Sequence, residues 1–359
     1  MKLPIPLALV VSALFFAVPL RAEKIVLVAG GGTAEKDAPA TECKLKEPFG
    51  VEFTPTGEMV IVEMTSGNRV LKVDAKGVLR VIGGTGAKGY SGDGGPATAA
   101  MFNGMHNLQI TPGGDLVIAD SFNHTLRRID GKSGVVSTLA GDGKAGFAGD
   151  GGPAAQARFS TLIQIALDAA GKQLYLADIG NKRVRRIDLA SGAVTTIAGN
   201  GKGGVPADGA VATDSPLVDP RAVTPDGAGG CYILERNGNA LRHVDAGGKI
   251  KTVVGMGAKG SSGDGGPGIA ATMNGPKYLT MDHDGTVLIA DAENHVIRRY
   301  APKTGLITRV AGTGKKGTAG LGGSPLECEL ARPHGVTVAK DGTLFITDSY
   351  NDRILKIVP

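Results

Sequence analysis

The chain has 359 residues, with 39 Lys and Arg against 34 Asp and Glu, a formal net charge of +5 at pH 7. A bias this small, with its charges scattered, argues against a nucleic-acid partner, while 42% hydrophobic residues are ample for a core. Glycine is abundant at 57, aromatics are 4% and Trp is absent, a composition of many tight turns without the flat platforms of a sugar site.

Residues 1–22 read as a signal peptide. Met1 and Lys2 give a short positive start, Leu3 to Leu20 is apolar, and Ala22 suits the last residue removed, although Leu20 is a poor match to a small residue at its position. The run barely reaches spanning length and contains Pro4, Pro6 and Pro19, so cleavage is expected rather than a retained anchor. The mature chain, 23–359, is then secreted or periplasmic, with no membrane insertion after signal removal. It keeps 37 basic and 34 acidic residues.

Beyond the leader comes an apolar strand, Lys24 to Gly30 (KIVLVAG), and then one line is repeated six times. Strong copies are VIADSFNHTLRRID from Val117, LYLADIGNKRVRRID from Leu174, LIADAENHVIRRY from Leu288 and FITDSYNDRILKI from Phe345; weaker ones start at Val60 and Tyr232. One carboxylate anchors each copy, Glu63, Asp120, Asp178, Glu235, Asp291 and Asp348, at gaps of 57, 58, 57, 56 and 57 residues. A fixed period of this size marks an array of one supersecondary unit. Around Asp120 the unit reads as four short strands, 105–111, 116–119, 125–129 and 135–140, joined by Gly, Asn and Asp turns, which is a propeller blade. KIVLVAG matches the fourth-strand segments VVSTLAG and AVTTIAG, and the last copy stops at Pro359 after its third strand. The predicted fold is therefore all-β, a six-bladed β-propeller of four-stranded antiparallel blades over 23–359. The N-terminal strand is expected to complete the last blade and close the ring, which removes open sheet edges.

The turns DSFNHTLRR, DIGNKRVRR, DAENHVIRR and DSYNDRILK, with the segment PHGVTVAKDG at Pro333 and the loop SGDGGPA at Ser91, resemble the NHL-repeat family. The resemblance covers residues 24–359 and implies a six-bladed propeller. It implies no single activity, because propellers host binding, scaffolding and several chemistries.

The long glycine-rich connections, the anchors and the starts of the innermost strands are expected to crowd at one mouth of the central channel, where propeller ligands bind. Fourteen residues before the anchors lie Phe49, His106, Gln164, Arg221, Lys277 and His334, the predicted ligand-binding rim. His106–Asp120, Arg221–Glu235, Lys277–Asp291 and His334–Asp348 are expected to face each other across hairpins. They read either as pairs that fix register or as a polar rim that holds a small anion or a peptide carboxylate, with Arg221 beside Lys277. The six anchors themselves read as structural turn residues, since a sixfold carboxylate followed in four copies by Asn three positions later suits turn chemistry.

Amidating lyases, which are similar propellers, hold zinc with three histidines on alternate blades. The matching positions here are His106, Arg221 and His334, and Arg cannot ligate. Lactonase-like propellers hold a divalent metal with channel carboxylates. Here Val51, Leu108, Ala166, Val223, Leu279 and Val336 would give an apolar wall if they point inward. Glu52 alone departs from its counterparts Gln109, Leu167, Thr224, Thr280 and Thr337. Asp93, Asp150, Asp208 and Asp264 recur in the loops without a calcium-loop pattern. Cys231 sits in a strand, whereas Cys43 and Cys328 precede the first strands of adjoining blades and would allow a disulfide latch if their Cα atoms approach within about 7 Å. No catalytic residue, metal or cofactor is expected. The chain reads as a monomer that binds a protein or peptide, or a small anionic ligand, through its loop-rich face. The alternative is a metal-dependent hydrolase or lyase, lactonase-like or amidating-lyase-like, with its site in the channel.

Overall fold

The computed structural model describes residues 23–359 and arranges them as six antiparallel sheets; the proposed leader lies outside the described residues. The second blade is typical: Met105–Ile110, Leu116–Asp120, Thr125–Ile129 and Val136–Ala140 pair in chain order. Each innermost strand touches that of the next blade, and the sixth touches the first. Lys24–Gly30 pairs antiparallel with Arg353–Val358, with Ile25 opposite Ile357, so the chain's start completes its last blade. In two blades the incoming loop adds a short fifth strand, Ala38–Pro39 and Ala210–Val211. Other loops fold back similarly, with bridges from Pro96 to Val135, Pro153 to Ala193 and Pro267 to Leu306. The long connections are thus partly tied down along the outer blade edges.

Period-two alternation sends successive side chains of a strand to opposite faces, and here both faces meet a neighbouring blade. Leu116 and Ile118 pack with Val60 and Val62 of the first blade, while Val117 and Ala119 pack with Leu174 and Leu176 of the third. A cluster uniting Ala29 and Ile354 with Val51 and Ile61 joins the last blade to the first. Val51, Leu108, Val223, Leu279 and Val336 all lie in such clusters. They are therefore mortar between blades, and the expected apolar channel wall is absent.

Every anchor carboxylate is buried and accepts a backbone N–H from the segment leading into its blade: Lys46 to Glu63, Asn103 to Asp120, Ser160 to Asp178, Val218 to Glu235, Asn274 to Asp291 and Ala331 to Asp348, all at 2.7–2.9 Å. In four blades Asn Nδ2 also donates to the anchor at 2.8 Å. A third partner escaped the sequence reading. Arg127, Arg185 and Arg298 on the third strands are buried and bridge the anchor to the loop carboxylates Asp93, Asp150 and Asp264, at 2.7, 2.6 and 2.9 Å. Three of the four recurring loop aspartates thus clasp arginines, whereas Asp208 accepts from the backbone N–H and hydroxyl of Thr252. Burial pushes the Asp120, Asp178 and Asp291 carboxyls up to about 6 against these donors.

The cysteines form no latch. All three thiols are free and buried, Cys43 and Cys328 in different inter-blade clusters, and the Cys43 thiol faces Ala38 O while that of Cys328 faces Glu329 O. Where the fourth strand of the fifth blade ends, Gly312 has φ of +96° and a Cβ there would stand 2.3 Å from His295 O. Gly312→Ala is expected to cost more than about 1 kcal/mol, read as a lower urea midpoint with an unchanged slope.

Candidate functional site

The expected cross-hairpin ion pairs do not form: for His106 and Arg221 the cause is a β-bulge, while Lys277 and His334 lie just ahead of the paired strands Tyr278–Met281 and Gly335–Val338. Phe49, His106 and Arg221 fall in register shifts between Pro48 and Gly50, Met105 and Asn107, and Pro220 and Ala222, so Pro48, Met105 and Pro220 oppose the anchors instead. A bulged residue leaves the ladder and its side chain is re-aimed, here toward the channel. The third blade slips by one more position. Ile165 pairs with Leu176 as Leu108 pairs with Ile118, which gives Ile163 the place of His106 and Gln164 the place of Asn107.

Gln164 therefore sits one level below the mouth, where the channel is plugged. Its Nε2 donates to Leu279 O across the ring at 2.7 Å, and Asn107 Nδ2 donates to Tyr278 Oη at 3.0 Å. Deeper still, Glu52 faces the channel beside Gln109, whose Nε2 donates to it at 2.7 Å. Burial pushes the Glu52 carboxyl up to about 7. The far mouth is a separate cavity of about 270 Å³ that includes Glu52, Gln109, Thr224 and Thr280.

The near mouth has two unlike halves. On blades six, one and two lie neutral rings. Phe49 stacks on His334 with centroids 4.1 Å apart, His334 on Tyr350 at 5.6 Å, and His106 meets Phe49 and Phe122 edge-on at 5.4 and 5.5 Å. His106 Nδ1 lies 3.1 Å from Gly104 O and His334 Nδ1 lies 2.8 Å from Arg332 O, so each ring donates there in its neutral form. Burial first, then the nearby cations, drive the His106 pKa down to about 3 and that of His334 well below the usual range.

On blades four to six lie cations. Arg236 Nε donates to Asp219 at 2.8 Å, Lys277 Nζ to Glu293 at 2.9 Å, and Arg332 shares Glu293. With Lys259, these surround a cavity of about 480 Å³. Arg221 is different. It is 6% exposed, has no ion-pair partner among the described residues, and its Nε is buried without an acceptor. Burial, then repulsion from Arg236, lower its pKa to about 9, which leaves it protonated at pH 7. Burial likewise lowers Lys277 to about 8. A guanidinium without an ion-pair partner, set among cationic neighbours with Asp219 as the nearby opposing charge, is suited to receive an anion.

The NHL repeat family matches residues 330–357. Protein SUPPRESSOR OF QUENCHING 1, chloroplastic, of Arabidopsis thaliana is 26% identical over 289 residues, 76% of this chain and 26% of that protein. Human NHL repeat-containing protein 2 is 25% identical over 343 residues, 87% of this chain and 46% of that protein. The chain thus spans less than half the length of these curated relatives. Among solved structures, an auxiliary nutrient binding protein from Bacteroides thetaiotaomicron superposes with a TM-score of 0.68 at 17% identity, over 94% of this chain and 76% of that one. A virginiamycin B lyase from Staphylococcus aureus gives 0.55 at 14% identity, over 94% and 99%. Such likeness is one of fold alone. The chain is a six-bladed β-propeller that carries the NHL repeat.

Proposed function

We propose that the chain is an exported binding module that holds a protein or peptide partner by an anionic group seated on Arg221 at the channel mouth. The unpartnered Arg221 carries this reading. A buried charge without a counter-ion is costly to keep, and a guanidinium accepts a carboxylate in a two-pronged geometry. The apolar leader supports export, and no helix among the described residues is long and apolar enough to cross a membrane. A zinc site of the amidating-lyase kind fits these residues poorly: the alternate positions offer two imidazoles and an arginine, and among the described residues no three His, Cys, Asp or Glu side chains converge as ligands.

A thermal-shift assay at fixed ionic strength tests the site. Acetate should raise the melting temperature of the wild-type protein above that in chloride and leave Arg221→Gln unmoved; equal rises in both would refute the reading. A pH signature accompanies it. Lys277 faces Glu293, Arg221 and Arg332, and its pKa stands near 8. A bound anion stabilises the ammonium and raises that pKa, so between roughly pH 8 and 10 the complex holds more protons than the free protein. Affinity should therefore fall as pH rises through this window, with proton uptake near pH 8.5 measurable by calorimetry in two buffers of different ionisation enthalpy. Arg221, with a pKa of about 9, adds to the uptake in the same direction, so Lys277→Met should reduce it, and an uptake unchanged by that substitution would take Lys277 out of the site.

A further inference from the structure

The halves of the mouth differ in a way that narrows the ligand, given an anion on Arg221 as proposed above. The uppermost channel layer, in ring order, is Phe49, His106, Ile163, Arg221, Lys277 and His334. A propeller places blade four opposite blade one and blade five opposite blade two. The two cations thus face Phe49 and the neutral His106 across the opening, and Ile163 and His334 close the sides. Above this floor, two turn residues two positions past their anchors rise as partly exposed rings, Phe122 at 40% and Tyr350 at 45%. They flank blade one, where the equivalent residue is the small Thr65. The rings already stack in sequence, Phe49 on His334 and His334 on Tyr350, within 24° of parallel. Arg332 ties the halves together, with its guanidinium 4.5 Å from the Tyr350 centroid and bonded to Glu293.

We infer that the mouth recognises an aromatic ring that bears a carboxylate: the carboxylate on Arg221 with Lys277 beside it, the ring against Phe49 and between the Phe122 and Tyr350 side chains. Aromatic ligands gain here over aliphatic ones of equal size, because offset and edge-on ring contacts add to area burial. The imidazoles serve as apolar, ring-shaped wall, which requires that they stay uncharged, as their burial ensures. Arg236 pairs with Asp219, and Lys277 and Arg332 share Glu293, so Arg221 is the buried cation at the mouth without a carboxylate partner among the described residues, and a guanidinium takes a planar carboxylate in a two-pronged geometry. The same chemistry occurs at a peptide chain end with an aromatic last residue and in a free aromatic acid.

Calorimetric titration at pH 7 of the full protein with N-acetyl-Ala-Ala-Phe, its C-terminal amide, the cyclohexylalanine analogue, 3-phenylpropionate and inorganic phosphate tests this. The free-acid peptide should bind at least tenfold more tightly than the amide and severalfold more tightly than the cyclohexyl analogue. Arg221→Gln should erase the first difference and Phe49→Leu the second. Weaker binding of 3-phenylpropionate than of the peptide assigns a chain end as the source, and equal binding assigns a free aromatic acid. Acid and amide binding alike would refute the anion site itself. A retained acid preference with phenyl and cyclohexyl equal would overturn only the aromatic inference, as would phosphate binding equal to the free-acid peptide. No binding of any probe at millimolar concentration overturns the inference as a whole.

Discussion

Arg221→Met should leave the protein more stable than the wild type and at the same time unable to hold an anion. The two effects share one cause. In the free protein Arg221 is buried and has no ion-pair partner among the described residues, so an apolar chain of similar length removes an unfavourable charge; replacements of even paired buried charges by packed apolar residues have been neutral or stabilising by about 1–4 kcal/mol. In the complex the same guanidinium supplies the charged hydrogen bonds, and truncating one member of such a buried pair costs about 2–5 kcal/mol, a loss of roughly 30- to 4000-fold in affinity at 1.4 kcal/mol per factor of ten. Urea midpoints and calorimetric affinities read the two effects separately. A destabilised Met variant would mean that Arg221 is held by contacts that matter for folding, and its role as a vacant receptor would fall. Opposite signs of stability and binding are a common mark of groups kept for function at a cost to the fold.

The fold was legible because every blade repeats its chemistry. The 57-residue cadence of carboxylates, the turn glycines and the out-of-phase KIVLVAG strand each had a local meaning that survives in the ring. What the cadence hid was the local insertion. Counting back fourteen residues found Phe49, His106 and Arg221, but no periodicity tells that these lie in bulges, and only pairing reveals that they escape their anchors. In the third blade the 58-residue gap was the visible warning: the extra residue moved Gln164 from the mouth to the plug and put Ile163 in its place. The paired arginines of TLRRI and RVRRI were also in plain view. One of each pair points into the blade and the other outward, an alternation readable from strand period two, yet the loop partners Asp93 and Asp150 lie over thirty residues away and are brought in by folding alone. That Arg221 is unpaired could not be read at all, since a missing partner is a property of packing.

Removing Lys24–Gly30 should open the ring, and the loss should rival the protein's whole stability. Ile25 and Ala29 are fully buried at the seam, Ile25 within the cluster that joins blades five and six and Ala29 within the one that joins the last blade to the first. The strand makes six residue pairs with Arg353–Val358. Ile25 also exchanges two backbone hydrogen bonds with the incoming loop at Gly322 and Gly323. Burial of one isoleucine contributes about 1.5–3 kcal/mol and each hydrogen bond about 0.5–1.5 kcal/mol net, so the strand is worth more than about 5 kcal/mol, against a typical total of 5–15 kcal/mol. The vacated edge of Arg353–Val358 would be a template for a second chain, and the truncated protein should elute as larger species than the intact one. A synthetic peptide with the sequence of residues 24–30 should restore cooperative unfolding. Ile25→Asp, which keeps the backbone but buries a charge at the seam, should destabilise in the same direction without offering a free edge. A truncated chain that stays monomeric with an unchanged unfolding midpoint would show that the other five blades hold the ring without this strand, and that its pairing is incidental to closure.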